Sequence, residues 1–238
     1  MSELYLYQTV HVAGGIPRLV ALHAEILAKA ARRLFAYEYA PDIDELERRI
    51  AAVACTEHYP PTVSGFVRIE ITADGRERLL PAGLSLYKGY ALRSVTPDAR
   101  VLHYEFPFID LPTSARETTA LLARRRPETT DLATVIRCDR EGICRTADEA
   151  PLFAVHNREI IASLAPPSAE RELALRAIRA AGITLREEFL AVEALPRMEE
   201  LFYVDHRGVT ALGHCGEIPY MSLIAERVAA AMENMFSS

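Results

Sequence analysis

No apolar run in this chain approaches the roughly 20 residues that a membrane-spanning helix needs. Positive charge is not in excess either: 27 Lys and Arg stand against 33 Asp and Glu, a net charge of −6. That balance leaves no electrostatic footprint for nucleic acid or an anionic membrane surface. Lysine is scarce, with only Lys29 and Lys88 in the chain. The four cysteines, Cys55, Cys138, Cys144 and Cys215, contain no Cys-x-x-Cys pair. They therefore predict a reduced, cytoplasmic protein rather than a disulfide framework. The opening Met1-Ser-Glu-Leu-Tyr-Leu-Tyr7 has no basic stretch followed by an apolar one, so no secretory leader is expected. The basic run Arg124-Arg125-Arg126 stands before Pro127, where a helix should stop and where cations suit the helix dipole.

What is present is an ordinary globular mixture, half apolar and one quarter charged. Tyr5–Val12 alternates as a strand does, Gly14-Gly15 supplies a turn, and Ile16–Phe35 carries an apolar stripe at helical spacing. Asp42 is placed to cap a second helix. Strands are expected over 66–72, 84–92 and 100–106. The proline-containing stretch 106–113 predicts a domain link, giving domains 1–110 and 111–238. Beyond it come a helix from Ser114, short strands at 133–138, 143–146, 152–155 and 160–164, and a helix over 169–181. Ser168 is placed to cap that helix and Gly182 to stop it. Strands at 183–192, 201–204 and 209–212, a short helix near 193–198 and a final helix over 220–236 complete the chain. The order is that of a two-domain α+β protein.

Several phrases resemble the class IV aminotransferase family, which includes branched-chain and D-amino-acid aminotransferases and aminodeoxychorismate lyase. Tyr7-Gln-Thr-Val-His11 is similar to the family's opening strand, usually Phe-Glu-Thr-x-Arg. Val135–Val155 resembles the double strand that carries Glu-Gly-x-x-x-Asn-Leu-Phe. Arg171–Ile183 and Glu193–Val204 resemble the helix after the phosphate loop and the approach to the last cofactor-binding turn. The resemblance implies an N-terminal α+β sandwich, a C-terminal strand-rich pseudo-barrel with covering helices, and a homodimer. It also implies pyridoxal phosphate in a pocket between the domains.

The active-site phrases depart from the family. Pyridoxal phosphate enzymes need an amine to form the Schiff base and move a proton. The resemblance places that lysine at Thr113, the carboxylate that faces the pyridine nitrogen at Thr146, and a phosphate-binding arginine at Ile26. A phosphate favours the free N–H groups of a helix start, but here the entry is Pro166-Pro167-Ser168-Ala169-Glu170-Arg171, with Glu170 and Glu172 in the first turn. The last turn, where the family uses a small hydroxyl residue, reads Asp205-His206-Arg207-Gly208. The expectation is that no cofactor and no metal is held.

The remaining candidates are His11, Arg68, His206, Arg207, His214 and Cys215. A Cys–His pair activates a thiolate, but neighbours in sequence usually point apart, and a buried cysteine beside a loop histidine is the simpler reading. His206, His214 and Cys215 match no usual zinc spacing. Arg68 reads as a domain-interface ion-pair partner before an anion ligand, and His23 as a satisfied core histidine. Two functional readings follow. One is a non-catalytic family member that binds a small molecule or partner. The other is an enzyme, either an unusual pyridoxal phosphate user or one that runs different chemistry.

Overall fold

A computed structural model describes residues 4–105, 108–124 and 133–237. Arg125, Arg126 and Pro127 of the basic run, and Phe106 and Pro107 of the expected link, lie outside the described residues. The chain divides into two compact units, Met1–Gly89 with Leu111–Ala115, and Tyr90–Asp110 with Arg116–Ser238.

In the first unit, strands β1 (Tyr5–Ala13) and β2 (Ile16–Pro17), helices α1 (Val20–Phe35) and α2 (Ile43–Thr56), and strands β3 (Ser64–Thr72) and β4 (Glu77–Leu84) follow in order. The strands form one antiparallel sheet in the order β2-β1-β3-β4. Leu6 and Val10 of β1 and Val67, Ile69 and Ile71 of β3 are fully buried with Leu27 of α1 and Leu46 and Ile50 of α2. Each such side chain contributes about 1.5–3 kcal/mol when fully buried. Asp42 caps α2 as its sequence suggests, accepting the Glu45 N–H at 3.0 Å. The expected strand over 84–92 falls elsewhere: β4 ends at Leu84 and contains Pro81. Proline lacks the N–H that a central strand must donate, so its place in a strand is an edge, which is where β4 lies. The helix expected from Ile16 begins only at Val20, because Ile16 and Pro17 turn back onto β1.

The second unit contains β5 (Ala99–His103), most of α3 (Ser114–Arg124), β6 (Thr134–Cys138), β7 (Ile143–Ala147), β8 (Ala150–His156), β9 (Glu159–Ser163) and α4 (Ala169–Ala180). It continues with β10 (Leu185–Glu188), β11 (Leu190–Ala191), a 3₁₀ turn over Val192–Arg197, β12 (Glu200–Asp205), β13 (Gly208–Ala211), β14 (His214–Cys215), β15 (Ile218–Pro219) and α5 (Leu223–Asn234). The main path of the sheet is β10-β9-β8-β7-β6-β5-β14-β15, and it branches where β12 pairs with both β8 and β13. Helices α4 and α5 pack on each other and on β12. Ser168 caps α4, accepting the Arg171 N–H at 3.1 Å. Gly182 follows the helix at φ +66°, a conformation that glycine adopts without steric cost.

Strand β6 is buried along its whole length, as a strand covered on both faces must be. Its alternation still sorts the residues: Ile136 and Cys138 join the apolar cluster with Cys144, Ala147, Leu152 and Leu201. Val135 and Arg137 point the other way. Arg137 pairs with Thr146 and Cys138 with Cys144, so Arg145 is an extra residue, a bulge beside Arg137. Bulges re-aim side chains in this way.

Candidate functional site

The sequence candidates divide between the two units, His11 and Arg68 in the first and His206, Arg207, His214 and Cys215 in the second. His11 is fully buried on β1, its Nε2 2.7 Å from Ser64 Oγ and its ring edge-on to Phe66 at 5.6 Å. Arg68 of β3 lies over the Tyr7 ring at 3.9 Å and pairs with Glu70 at 3.2 Å. Both therefore serve packing within the first sheet. Arg207 donates Nε–H to Asp205 Oδ2 at 2.8 Å and its backbone N–H to Oδ1 at 2.8 Å, which closes the β12–β13 turn. Burial raises the Asp205 carboxyl, but the charges of His206 and Arg207 and the Arg207 hydrogen bonds outweigh it and hold the group low. Gly208 ends the turn at φ +121°, and a Cβ there would stand 2.4 Å from the Ala91 carbonyl oxygen. Only glycine fits so close a backbone approach.

His214 is exposed and pairs through Nδ1 with Asp98 at 3.0 Å, whereas Cys215 beside it is buried, and burial pushes its thiol up. A buried, protonated thiol facing away from its neighbouring histidine is no nucleophile. Among the described residues no group of three or more His, Cys, Asp or Glu side chains could hold a metal ion.

The second unit instead builds a polar cluster that sequence reasoning touched only at Thr146. Its centre is Glu149, in the turn between β7 and β8. Both turn residues, Asp148 and Glu149, have positive φ, 47° and 65°. Non-glycine residues in this region cost on the order of 1 kcal/mol or more each and persist where surrounding contacts hold them. Here the contacts are on Glu149. Tyr104 donates its hydroxyl to Oε1 at 2.6 Å and Arg116 donates Nε–H to Oε2 at 2.9 Å. Arg116 also reaches the Glu149 carbonyl oxygen through Nη2. Arg137 Nε lies 3.7 Å from Oε1 and donates to Thr146 Oγ1 at 3.3 Å. Burial raises the Tyr104 phenol, and the Glu149 charge adds to it. Burial lowers Arg137, with Glu149 opposing. The signal that could have found the cluster is one arginine inside the otherwise uncharged run Ala133-Thr-Val-Ile-Arg137-Cys138.

Thr113 is fully buried, beside Leu6 of β1, and its N–H goes to the Leu111 carbonyl oxygen at 2.9 Å. Thr146 is fully buried and faces Arg137. Lys29 is an exposed residue of α1 paired with Glu25 at 2.6 Å, and Lys88 is exposed. At the start of α4, Glu170 is buried and burial pushes it up to about 8, so it is largely protonated near neutral pH. The repulsion of an anion there is thus weaker than two ionised carboxylates imply.

The sequence profile of the family described as Amino-transferase class IV matches residues 5–205. The chain belongs to the class IV aminotransferase family. No curated protein matches the sequence, whereas solved structures share its fold at low identity. One is a putative 4-amino-4-deoxychorismate lyase from Legionella pneumophila, 13% identical, with 97% of this chain and 90% of that one covered at a TM-score of 0.78. The branched-chain amino acid aminotransferase of Escherichia coli is 16% identical, with 98% and 85% covered at 0.77. An aminotransferase from Brucella abortus, solved bound to the cofactor PLP, is 14% identical, with 98% and 89% covered at 0.76.

The expectation that this protein holds no cofactor is therefore corrected: a protein of the same fold is solved with pyridoxal phosphate bound. The resemblance places the family's covalent anchor at Thr113 and its pyridine-facing carboxylate at Thr146. No amine stands at Thr113, and the group facing Thr146 is a guanidinium, opposite in sign to the carboxylate that a protonated pyridine nitrogen requires.

Proposed function

We propose that this class IV aminotransferase family member binds a small molecule and does not carry out lysine-dependent transamination. The observation that carries this reading is Thr113, a buried hydroxyl where the resemblance places the Schiff-base lysine, with the chain's two lysines both exposed. A hydroxyl cannot form an imine, and no pKa adjustment substitutes for the missing nitrogen. The guanidinium at Thr146 supports the same reading, since it disfavours the positive pyridine that acts as an electron sink.

A homodimer in the cytoplasm belongs to the same proposal. The dimer is supported by the resemblance, and the location by four cysteines that are all free thiols. No helix among the described residues is long and apolar enough to cross a membrane. Analytical ultracentrifugation reads the dimer directly.

The main test mixes the protein with pyridoxal phosphate, records the visible spectrum, reduces with borohydride and maps the peptides. The expected result is no stoichiometric adduct on Lys29 or Lys88. An adduct of one per chain on either lysine would overturn the proposal, whereas bound but unreduced coenzyme is compatible with it.

A further inference from the structure

Cys138 and Cys144 stand opposite each other at the turn end of the β6–β7 hairpin. On the turn side of the pair, the Asp139 N–H donates to the Ile143 carbonyl oxygen at 3.0 Å. That is the pattern of an antiparallel pair that exchanges no backbone hydrogen bonds of its own, in which the Cα atoms lie about 4.5 Å apart and the side chains approach most closely. A disulfide spans Cα separations of about 4.4–6.8 Å. The strands therefore need not move for the two sulfurs to bond. Both side chains lie in the same apolar cluster, and both are free thiols.

The pair also has a direction. Burial raises both thiols, but their contact with each other lowers Cys138 and raises Cys144. Cys138 is thus the better thiolate, and the thiolate is the form that reacts. Cys215 belongs to the same cluster, but β5 and β6 lie between its strand and β7 in the sheet, so it faces neither thiol as a cross-strand partner. Neither Cys138 nor Cys144 is exposed, whereas Arg140 and Glu141 of the adjoining turn are. Burial keeps the resting pair reduced and favours the smallest oxidants.

We propose that Cys138 and Cys144 form a redox pair that a hydroperoxide closes to a disulfide, stapling the β6–β7 hairpin. The Cys138 sulfur attacks a peroxide oxygen, the O–O bond breaks, and with hydrogen peroxide the leaving hydroxide takes the thiol proton to become water. The Cys144 sulfur then attacks the Cys138 sulfenic acid. The S–S bond forms, the S–O bond breaks, and the oxygen leaves with the Cys144 proton as a second water. Two thiols lose two electrons and one peroxide gains them. A small thiol reverses the step by exchange. The staple fixes the register beside the bulge at Arg145. In a reducing compartment such a disulfide is transient and redox-sensing. The proposal goes beyond the reading of the chain as a binding protein and does not depend on it.

The test treats the folded Cys55→Ser chain, which lacks the exposed cysteine, with hydrogen peroxide. The protein is then unfolded, alkylated and cut with trypsin. Arg137, Arg140 and Arg145 put the two cysteines on separate peptides, 138–140 and 141–145. The expected product is these two peptides joined, and separated again by dithiothreitol. Recovery of both cysteines alkylated, either one joined to Cys215, or both carried to sulfonic acid without joining would each overturn the pair. Dimedone present during the oxidation should label Cys138 at least tenfold more than Cys144, and equal or reversed labelling would overturn the assigned direction. The oxidised chain should unfold at a higher urea concentration than the reduced one. Coinciding midpoints would overturn the stapling role. If Cys55→Ser does not fold, the unaltered chain decides by the same peptides, since Cys55 falls on neither of them.

Discussion

Arg137 and Thr146 face each other across β6 and β7, joined by a 3.3 Å hydrogen bond from Nε to Oγ1 on the face opposite the apolar cluster. Thr146→Val keeps the shape of the side chain but removes the acceptor. Arg137 Nε is then left with Glu149 at 3.7 Å. The expected cost is about 1–3 kcal/mol, the range for stranding a buried donor on a charged group. Urea unfolding measures it, and an unchanged midpoint would show that the hydrogen bond contributes nothing.

Why this pair was only half legible in the sequence follows from where its information sits. Local signals were readable: Asp42 before α2, Ser168 before α4 and Gly182 after it each act within a few residues. Thr146 is legible only because a resemblance gives it a position. Its partner lies nine residues away across a bulged hairpin, and a bulge changes which residue opposes which. His11 and Ser64 are 53 residues apart in the chain, so the role of His11 as a packed core residue was invisible without the β1–β3 register. Strand β4 lies upstream of the expected 84–92, and its edge position, which is what makes Pro81 tolerable, is set by sheet order and not by local sequence. The scarcity of lysine, with only Lys29 and Lys88 in the chain, is legible without geometry. What could not be read was the sign of the group that faces Thr146.

A second long-range contact fixes the C-terminal helix. Ser222 does not cap α5 with its side chain. Glu200, 2% exposed on β12, accepts the Ile224 N–H at 2.8 and 3.0 Å through its two oxygens and the Ala225 N–H at 3.0 Å. A carboxylate at a helix start satisfies free N–H groups and meets the positive end of the dipole. Glu200→Ala should cost about 1–3 kcal/mol, and Glu200→Gln less, since its oxygen still accepts. Hydrogen exchange checks the mechanism: the Ile224 and Ala225 amides should exchange faster, and exchange unchanged at both would contradict it.

Glu170 predicts a pH dependence of opposite sign to that of an ordinary paired carboxylate. Burial pushes its pKa up to about 8 from an ordinary 4.5; its own backbone lowers it slightly, and the Asp205 charge adds to the rise. Between those two values the folded chain holds a proton that the unfolded chain has released. The contribution to stability is therefore complete below about pH 4.5 and is lost as pH rises toward 8, at no more than about 1.4 kcal/mol per pH unit. Glu170→Gln keeps a neutral side chain of the same size and removes this slope. Asp205, held low by His206 and Arg207, contributes the reverse dependence at acid pH and is untouched by the substitution. The variant should therefore gain on the unaltered chain steadily from about pH 5 to about pH 8 and then run parallel to it. Urea midpoints taken across that range test the sign, and a gap between the two proteins that is constant with pH would refute the assignment of a neutral, buried Glu170.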